Sequence, residues 1–463
     1  MSDLLRILGG AASSLTAQTA AAATASHNLE NSNTPGYARQ RVTIEAVLPA
    51  DRVGNSYLGA GATTQSVTQV RDRFLEAQLP NAFGQSSSSS ASASTLQAVD
   101  ALDPQASGGL GDALSGFYSA LSQLSQNPSD AGLRQSAVSA ASTLALSFNR
   151  TRAALEDART GVDQKLTGDV QQANDLARNV ASLNAQIRAA RAGGAEPNDL
   201  LDARQQAVDQ LAQLTGASPV TTSEGDVSLF LPGGAPLVTS MQAATLSTIA
   251  DPSNSGHLAL QLSNGGVTQS VSPGGELGGL TAARDGALKS AVDSLDALAY
   301  GLAGAVNTVH QAGVDLNGNG GQPLFTVQNA AGAAGQIAVN TAIVADPRLL
   351  ATAHAGGGSG DGSNVTDLLA TQSQALSTGL DAVSTFSQIT SAFGAAASSA
   401  QAQSDADGAL RDHLTTLRES TSGVSIDEEL VSMQKAQQAY QAISKVIQTT
   451  EDMFTTLMSI KSS

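Results

Sequence analysis

One stretch of this sequence limits the possible folds more than any other. Residues 130–192 keep a helical pattern of apolar residues and contain neither a proline nor a pair of glycines. The cluster Pro128-Ser129-Asp130 before this stretch is typical of a helix N-cap. At 1.5 Å per residue, a helix of about 60 residues is roughly 90 Å long. A helix of that length cannot fold back into a small globule, so the sequence predicts a long helical rod.

The two ends of the chain carry apolar residues at helical spacing. In the first helix these residues are Leu4, Leu8, Ala11, Leu15, Ala22 and Leu29. In the last helix, predicted over 426–460, they recur every seven residues at Ile426, Met433, Tyr440, Ile447 and Phe454, with Leu430, Ile443, Val446, Met453, Leu457 and Ile460 beside them. Ser425 and Glu428 form a capping-box pattern at its start. The simplest way to bury both faces is to pair the two helices as a coiled coil, or to pack them against copies in neighbouring molecules.

A different pattern occupies residues 215–276. Val227, Leu229 and Leu231 alternate with other residues, and so do Leu258, Leu260 and Leu262. Glycine-rich turns follow both runs, at residues 232–234 and 264–266. Alternation followed by an Asn-Gly turn is a strong signal for a β-hairpin. The sequence therefore predicts a small β domain inserted between helical segments.

Together these patterns predict a mainly α fold with an inserted β domain. We expect extended chain at 42–44 and 47–48, helix over most of 67–214, and helix again at 277–311 and 365–417. Breaks are expected at residues 86–90, 103–111, 127–128 and 193–198, where serine, glycine, proline and asparagine cluster. The resulting domains are a terminal one from 1–64 and 421–463, a helical rod from 65–214 and 277–420, and an outward-facing β insertion at 215–276.

Composition excludes several classes of protein. The chain has 463 residues, a net charge of −17 and no cysteine, so it has no disulfides and no thiolate chemistry. Nucleic-acid binding needs a basic surface, which argues against such a partner here. No window reaches the roughly 18 consecutive apolar residues of a membrane span. Asp3 lies where a signal peptide carries positive charge, and polar residues interrupt the apolar run that follows, so we expect no cleaved signal peptide.

No pattern typical of catalysis or of ligand binding stands out. The five histidines are scattered, and none lies at metal-ligand spacing from another. The segment 315–320 begins like a calcium loop, but its twelfth position is Thr326 where a bidentate glutamate belongs. We therefore expect no enzyme activity, no metal and no cofactor.

The informative motif follows the first helix, at residues 28–40 with the sequence NLENSNTPGYARQ. Its asparagines, Asn28, Asn31 and Asn33, are suited to satisfying helix-end carbonyls and forming Asx turns. Pro35 and Gly36 set a bend, because proline biases its predecessor away from the helical region and glycine permits a turn. Tyr37 supplies a rare aromatic anchor, and Arg39 a fixed positive charge. Three asparagines in six residues are unusual for an ordinary turn.

This motif resembles one shared by bacterial flagellar rod, hook and hook-associated axial proteins, and most closely its form in the hook-associated protein 1 family. Residues 427–453 are similar to the C-terminal helix of the whole superfamily. Internal stretches at 182–187, 198–204, 278–284 and 315–325 resemble the hook-associated protein 1 family in the same order. The chain departs from longer members after Phe325, where a second outer domain is expected to be absent or reduced.

The resemblance implies a structural axial protein that assembles helically on the hook tip and forms the hook–filament junction. The implied partners are copies of the chain itself, the hook protein, the next hook-associated junction protein and a cytoplasmic export chaperone on the C-terminal helix. It also implies an extracellular location, export without a cleaved signal, and terminal segments that are disordered in the free monomer. Another rod or hook protein of the superfamily is the main alternative, and a secreted helical adhesin or scaffold is a weaker one.

The residues expected to make assembly contacts lie at the two ends of the chain. They are Leu4, Leu8, Leu15, Asn28, Asn31, Asn33, Pro35, Gly36, Tyr37, Arg39, Ile426, Leu430, Met433, Tyr440, Ile443, Ile447, Met453, Phe454 and Leu457.

Overall fold

The computed structural model describes residues 2–48, 52–53, 56–57, 59–102, 108–377 and 379–462. The helices are α1 (Ser2–Glu30), α2 (Arg73–Gln97), α3 (Leu110–Gln126), α4 (Ala131–Ala192), α5 (Asn198–Thr215), α6 (Gly275–Ala283), α7 (Lys289–Ala312), α8 (Ala333–Gln336), α9 (Thr341–Ala345), α10 (Ser363–Ala370), α11 (Ala382–Ser422) and α12 (Ile426–Ser462). A π-helical turn at Arg284–Leu288 joins α6 to α7. In the described residues, none of the helices combines the length and apolar character that a membrane-crossing segment requires.

The strands are short. They are β1 (Gln40–Ala46), β2 (Arg52–Val53), β3 (Ser56–Tyr57), β4 (Ala62–Gln69), β5 (Ser218–Thr221), β6 (Val227–Phe230), β7 (Pro236–Thr239), β8 (Gln242–Ala243), β9 (Thr245–Ala250), β10 (Leu258–Asn264), β11 (Val267–Ser270), β12 (Phe325–Thr326) and β13 (Ala338–Val339). The predicted mainly α fold with a β insertion is confirmed.

The long helix predicted from the sequence is present as α4, which has 62 residues. Asp130 caps it, since its Oδ1 accepts a hydrogen bond from the Leu133 amide at 2.8 Å. The helix ends at Ala192, Gly193 caps it, and Gly194 then takes a positive φ of 79° to turn the chain. At 1.5 Å per residue α4 is about 90 Å long. Helices α3, α5 and α7 pack against it.

Two hydrophobic cores share α4. The N-terminal half of α4 packs with α3, α7 and α10 in a core that includes Phe117, Phe148 and Phe325. The C-terminal half packs with α5, α6 and the β insertion in a second core that includes Leu166 and Leu229. A single helix thereby ties the rod and the β insertion into one body.

The β insertion has two antiparallel sheets, with strand orders β5-β6-β7-β8 and β11-β10-β9. The predicted hairpin at 264–266 is the β10–β11 turn, in which Gly265 and Gly266 both have positive φ. Leu229, Leu260 and Leu262 face the core, as their alternation predicts. Strand β11 is exposed along its length, and Val267 is 70% exposed.

Two details of the predicted helix pattern are wrong. Strand β4 continues past Val67, so helix begins only at Arg73. The predicted helix over 365–417 is interrupted after α10, and α11 starts anew at Ala382, where Asp381 caps it. Of the expected break at 103–111, residues 103–107 lie outside the described residues, and α3 begins at Leu110.

The serine run at 86–90 does not break α2, contrary to the prediction. Helix α2 continues through it because its small side chains allow α6 and α11 to approach closely. Gly279 of α6 lies so near the Ser88 backbone that a β-carbon would collide with the Ser88 carbonyl. Ser89 satisfies its own hydroxyl by donating to the Gln85 carbonyl at 3.0 Å. Tertiary packing therefore overrides the low helix propensity of serine.

Candidate assembly module

The two ends of the chain come together, and we call the described parts of residues 2–69 and 423–462 the terminal module. Helices α1 and α12 pack against each other along their lengths. They are antiparallel. Leu4 and Leu8, near the start of α1, line a groove with Thr450 and Phe454, near the end of α12. Arg39, which follows the end of α1, pairs with Glu428 at the start of α12. The predicted pairing of the terminal helices is thus present.

Helix α12 turns a heptad-spaced face toward α1. Glu429, Ala436 and Thr450 are buried on this face. Met433, Ile443, Ile447 and Phe454, which were predicted as contacts, are half-buried beside them. On α1, Ala17 and Ala25 are buried, and the predicted Leu4, Leu8 and Leu15 are half-buried. Small residues at the centre of the pair let the two helices approach closely.

The apolar stripe of α12 is wider than the face that α1 covers. The predicted residues Ile426, Leu430, Tyr440, Met453 and Leu457 are exposed, by 43–56% of their surface. Val446, Met453, Leu457 and Ile460 follow one another at helical spacing along one side, and Ile460 is 68% exposed. We call these four residues the open side of α12.

Asn28 is the centre of the turn that follows α1. It is buried, and its side chain bonds to both backbone groups of Gln40, donating to the carbonyl at 2.8 Å and accepting from the amide at 2.9 Å. The Tyr37 hydroxyl donates to the same Asn28 oxygen at 2.8 Å. One asparagine thus joins the end of α1 to the first residue of β1.

The other motif residues shape the turn. Asn31 donates to the His27 carbonyl at 3.0 Å and accepts from the Thr34 hydroxyl at 3.2 Å. Gly36 has a φ of 81°, which other residues rarely adopt. Asn33 and Pro35 are exposed, and Asn33 makes no side-chain hydrogen bond to any described residue. Of the three asparagines, only Asn31 binds a carbonyl at the end of α1 as expected, because Asn28 instead bonds to the Gln40 backbone.

Arg39 connects the turn to the C-terminal helix. Its Nη1 donates to Glu428 Oε2 at 2.7 Å, and its Nε lies 2.6 Å from the buried Glu429 Oε1. The Arg39 amide also donates to the Ser422 carbonyl at 2.9 Å. The carboxylate of Glu428, which the sequence suggested as part of a capping box, is therefore engaged by Arg39.

The start of α5 holds the terminal module against the rod. The Asn198 side chain donates to the Val67 carbonyl of β4 at 3.0 Å, and the Asn198 backbone carbonyl accepts from the Gln69 side chain at 2.9 Å. Asp199 accepts from Gln40 at 3.2 Å and lies 3.3 Å from His27 Nε2. Strands β1 and β4 are thus docked on the first turn of α5.

Two further residues of α5, Asp202 and Arg204, contact other parts of the rod and the β insertion. Asp202 accepts from Arg71 Nη2 at 2.5 Å, just before α2. Arg204 donates to Asn184 of α4 at 3.0 Å and to the Gly225 carbonyl of the β insertion at 2.9 Å. The resemblance covers residues 182–187 and 198–204, but neither it nor the helix pattern predicted that these residues join the terminal module, the rod and the β insertion. The polar residues within these otherwise helical stretches were the available signal.

Burial shifts several pKa values here. The pKa of Tyr37 is raised, first by burial and then by the nearby Asp202 and Asp199. Burial also raises the pKa of Asp202 to about 6, against the opposing effect of Arg71. It lowers the pKa of Arg204 to about 10, with further lowering by neighbouring arginines.

A cavity of about 440 Å³ lies beside the motif. The whole turn 31–38 forms one wall, and Arg71, Glu76, Gln205 and Arg418 line the other. Charged groups of both signs meet in it, so the motif turn faces a polar pocket at the border with the rod.

Elsewhere, His310 and the loop at 315–320 have structural roles. His310 is fully buried, with Nδ1 2.5 Å from the Gln322 carbonyl and Nε2 accepting from the Ala351 amide at 3.0 Å. The loop at 315–320 is a turn organised by Asp315, whose Oδ1 accepts from the amides of Asn317 and Asn319, both at 2.8 Å. In the described chain, no group of three or more histidine, cysteine, aspartate or glutamate side chains is arranged to hold a metal ion.

Comparisons with known proteins agree with this architecture. Residues 96–325 match the family described as the flagellar hook-associated protein FlgK helical domain. Residues 418–460 match the family described as the flagellar basal body rod FlgEFG protein C-terminal. The first match covers most of the rod and the β insertion, and the second covers α12.

Similar proteins from three bacteria carry the same name. The chain is 31% identical over 328 residues to flagellar hook-associated protein 1 of Escherichia coli, covering 69% of this chain and 60% of the relative. It is 32% identical to the Salmonella typhimurium protein of the same name, of which it covers 59%. The chain therefore spans about three-fifths of the length of these relatives. The Bacillus subtilis hook-associated protein 1 is 26% identical over 95% of both chains.

A solved structure shares the fold. The flagellar hook junction protein FlgK of Burkholderia pseudomallei superposes with a TM-score of 0.69 at 22% identity, covering 74% of this chain and all of that one. Together, the helical-domain match and the relatives show that the chain belongs to the FlgK family of flagellar hook-associated proteins.

Proposed function

We propose that this chain is a structural axial subunit of the bacterial flagellum that forms the hook–filament junction by helical self-assembly on the hook tip. The proposed role involves no catalysis. It rests on the names of the relatives and on one structural observation, the open side of α12. The monomer leaves a continuous apolar stripe uncovered on a helix that is already paired with α1.

The exposed apolar stripe favours assembly with other subunits over a face that stays in contact with solvent. Val446, Met453, Leu457 and Ile460 lie together on one helix side, and Leu5 and Ile7 of α1 are 58% and 46% exposed. Contiguous exposed apolar surface usually marks an interaction site in a soluble protein. Subunits that pack head to tail through unlike surfaces form an open helical array, which is the symmetry a tubular structure requires.

The partners follow from this role. They are copies of this chain, the hook protein below, the next hook-associated junction protein above, and before export a cytoplasmic chaperone on α12. We propose no nucleic-acid or membrane partner. The site of action is extracellular, after passage through the flagellar export channel. A chain without cysteine suits this route, because it crosses unfolded and needs no disulfide on arrival.

We also propose that the terminal domain, 1–64 and 421–463, orders fully only on assembly, and that the β insertion at 215–276 faces outward from the rod of 65–214 and 277–420. The narrow α1–α12 contact supports the first point, because alanine-rich helices with small apolar faces are marginally stable alone. The exposure of β11 supports the second.

The alternative is a rod or hook protein of the same superfamily. The match of residues 418–460 to a rod-protein family fits either role, since the superfamily shares this helix. The match of residues 96–325 to a FlgK helical domain favours the junction protein.

Deleting residues 440–463 tests the proposal. The shortened chain should keep a folded helical rod, as seen by circular dichroism, but should fail to join the hook tip of a strain that lacks the full-length protein. The variant Val267→Thr is the control, because Val267 is an exposed apolar residue outside the terminal module, and it should assemble normally. Normal filament attachment by the shortened chain would refute the proposal.

A further inference from the structure

The two hydrophobic cores meet on α4 at a short polar segment, which we call the border. The first core ends at Leu155 and the second begins at Val162. The six residues between them, 156–161, have the sequence EDARTG and include no large apolar residue. Among the described residues, none outside the helix would come within 4 Å of a β-carbon at Gly161. Apolar packing along α4 is therefore interrupted at the border for about one and a half turns.

Two other helical segments also pass from one core to the other. Helix α2 does so between Ala91 and Leu96, through serine, alanine and threonine. Helix α6 passes from Leu280 of the second core to Ala283 of the first, immediately before the π-helical turn Arg284–Leu288. Sharp kinks in helices concentrate at glycine and serine residues and at π-helical turns. The level of the border therefore combines the features at which helices bend most readily.

A loop of the β insertion, residues 251–257, lies on the border, and we call it the border loop. Its last residue, His257, is only 8% exposed, and each ring nitrogen faces a carboxylate of α4. Nδ1 lies 2.6 Å from Asp163 Oδ2, and Nε2 lies 3.3 Å from Glu156 Oε2. These two carboxylates are about 10 Å apart along the helix axis and lie on either side of Gly161. One imidazole ring thus connects the two core regions across the border.

Asn254 makes a second connection from the border loop. Its Oδ1 accepts from Arg159 Nη2 at 2.8 Å, and its Nδ2 donates to Asp285 Oδ1 at 2.7 Å. Asn254 thereby joins the border on α4 to the π-helical turn. Arg284 of the same turn donates to Asp163, which also contacts His257. The loop, α4 and the π-helical turn therefore belong to one network.

This network is buried. Arg159 and Arg284 are each 2% exposed, and they pair with the carboxylates Glu156, Asp163 and Asp285. A buried ion network resists rearrangement, because separating one partner leaves an uncompensated charge in a poorly hydrated place. The border loop therefore supplies a fixed connection where apolar packing is interrupted.

We propose that the border loop fixes the angle between the two core regions, and that releasing it allows α4 to bend at residues 156–161. The side chains that carry this role are His257 and Asn254, since they connect the loop to α4 and to the π-helical turn. The β insertion thereby determines how stiff the rod is, a role separate from the assembly contacts proposed for α12.

The cysteine-free chain allows the bend to be measured by double electron–electron resonance. Spin labels on Thr143→Cys and Asn179→Cys, at exposed positions of α4, lie on opposite sides of the border. At 1.5 Å per residue these positions are about 54 Å apart, and a bend of about 40° shortens this distance by about 3 Å. We expect a narrow distance distribution when the border loop is intact.

The double variant His257→Ala/Asn254→Ala releases the border loop. We expect the distribution to broaden and its mean to shorten by about 3 Å, while circular dichroism shows unchanged helix content. His354→Ala is the matched control, because it removes an exposed histidine that pairs with Asp367 away from the border, and it should leave the distribution narrow. A folded double variant that keeps the narrow distribution would overturn the proposal.

A second label pair separates bending of α4 from disruption of the β insertion. Asn179→Cys and Thr268→Cys both lie on the side of the second core, in α4 and β11, and both positions are exposed. The distance between them should not change in the double variant, and broadening of this pair as well would refute the proposal. Should the double variant fail to fold, His257→Gln, which keeps one donor group, should still broaden the distribution of the first pair. An unchanged distribution in that variant would also refute the proposal.

Discussion

At the residue scale, asparagine has a repeated role in this fold. Four asparagines on helices each bond, through the side chain, to both the amide and the carbonyl of one strand residue. The pairs are Asn28 with Gln40, Asn174 with Leu246, Asn184 with Val227 and Asn307 with Phe325. A carboxamide presents a donor and an acceptor side by side, as a peptide group does. Each asparagine therefore replaces a missing strand neighbour where a helix meets extended chain.

We expect Asn28→Ala to loosen the terminal module. The substitution leaves the Gln40 amide, the Gln40 carbonyl and the Tyr37 hydroxyl without their partner, and each unsatisfied buried group costs about 1–3 kcal/mol. Hydrogen exchange at β1 should accelerate while exchange in α4 stays unchanged. Asn33→Ala is the control, since Asn33 is exposed, and it should change stability by less than about 0.5 kcal/mol. Equal effects of the two substitutions would contradict this role of Asn28.

His310 should remain neutral far below the usual pH. Burial lowers the pKa of His310 to about 4, and its ring accepts a hydrogen bond that the protonated form cannot accept. Its contribution to the free energy of unfolding is complete above pH 6.5 and is lost as the pH falls toward 4, by about 3 kcal/mol in total. The proton resonance of its ring, assigned through His310→Gln, should titrate near pH 4. A midpoint near 6.5 would contradict the buried arrangement.

At the scale of elements, close packing of small residues determines where helices run. The serine run in α2 looks like a linker in the sequence, yet it is helix because α6 lies against its backbone. The same contact explains Gly279, where no side chain fits. Small residues here serve helix packing, a role that local propensity does not reveal.

Gly279→Ala should therefore destabilise the chain, although alanine is the better helix former. The added methyl group meets the Ser88 carbonyl and must push α2 away from α6, which typically costs about 1–3 kcal/mol. Gly304→Ala in α7 is the matched control, because nothing lies within 4 Å of its β-carbon position, and it should stabilise by about 0.5–1 kcal/mol. Urea unfolding of the two variants measures both effects, and a stabilising Gly279→Ala would refute the packing argument.

The periodicity of apolar residues and the helix caps predicted many of the helices and strands. Helix α4 follows from its long apolar pattern and Asp130, and the β10–β11 hairpin follows from its turn residues. The contacts between the terminal module and α5 did not follow, because residues such as Val67 and Asn198 are 131 positions apart in the sequence. The division of the α12 stripe into a covered face and an open side also depends on the width of α1, which the sequence of α12 does not contain.

At the scale of the whole molecule, one long helix carries two cores, and the two chain ends form a separate paired unit at its border. The cores bury the large apolar residues of α3, α7 and the β insertion. The terminal module instead joins the rod through Asn198 and Asp199 of α5, which bond to Val67 and Gln40. This division fits the proposed subunit, which exists first alone and then within an array.

The open side of α12 is central to this account, and the double variant Met453→Gln/Leu457→Gln tests it most directly. These residues are 56% and 48% exposed, so the monomer should keep its helix content and its α1–α12 pair. We predict that this variant is exported and folded but does not assemble at the hook tip, measured as filament attachment in a strain that lacks the protein, while Val267→Thr assembles normally. Filaments that attach normally with the double variant would contradict the claim that α12 assembles through this side.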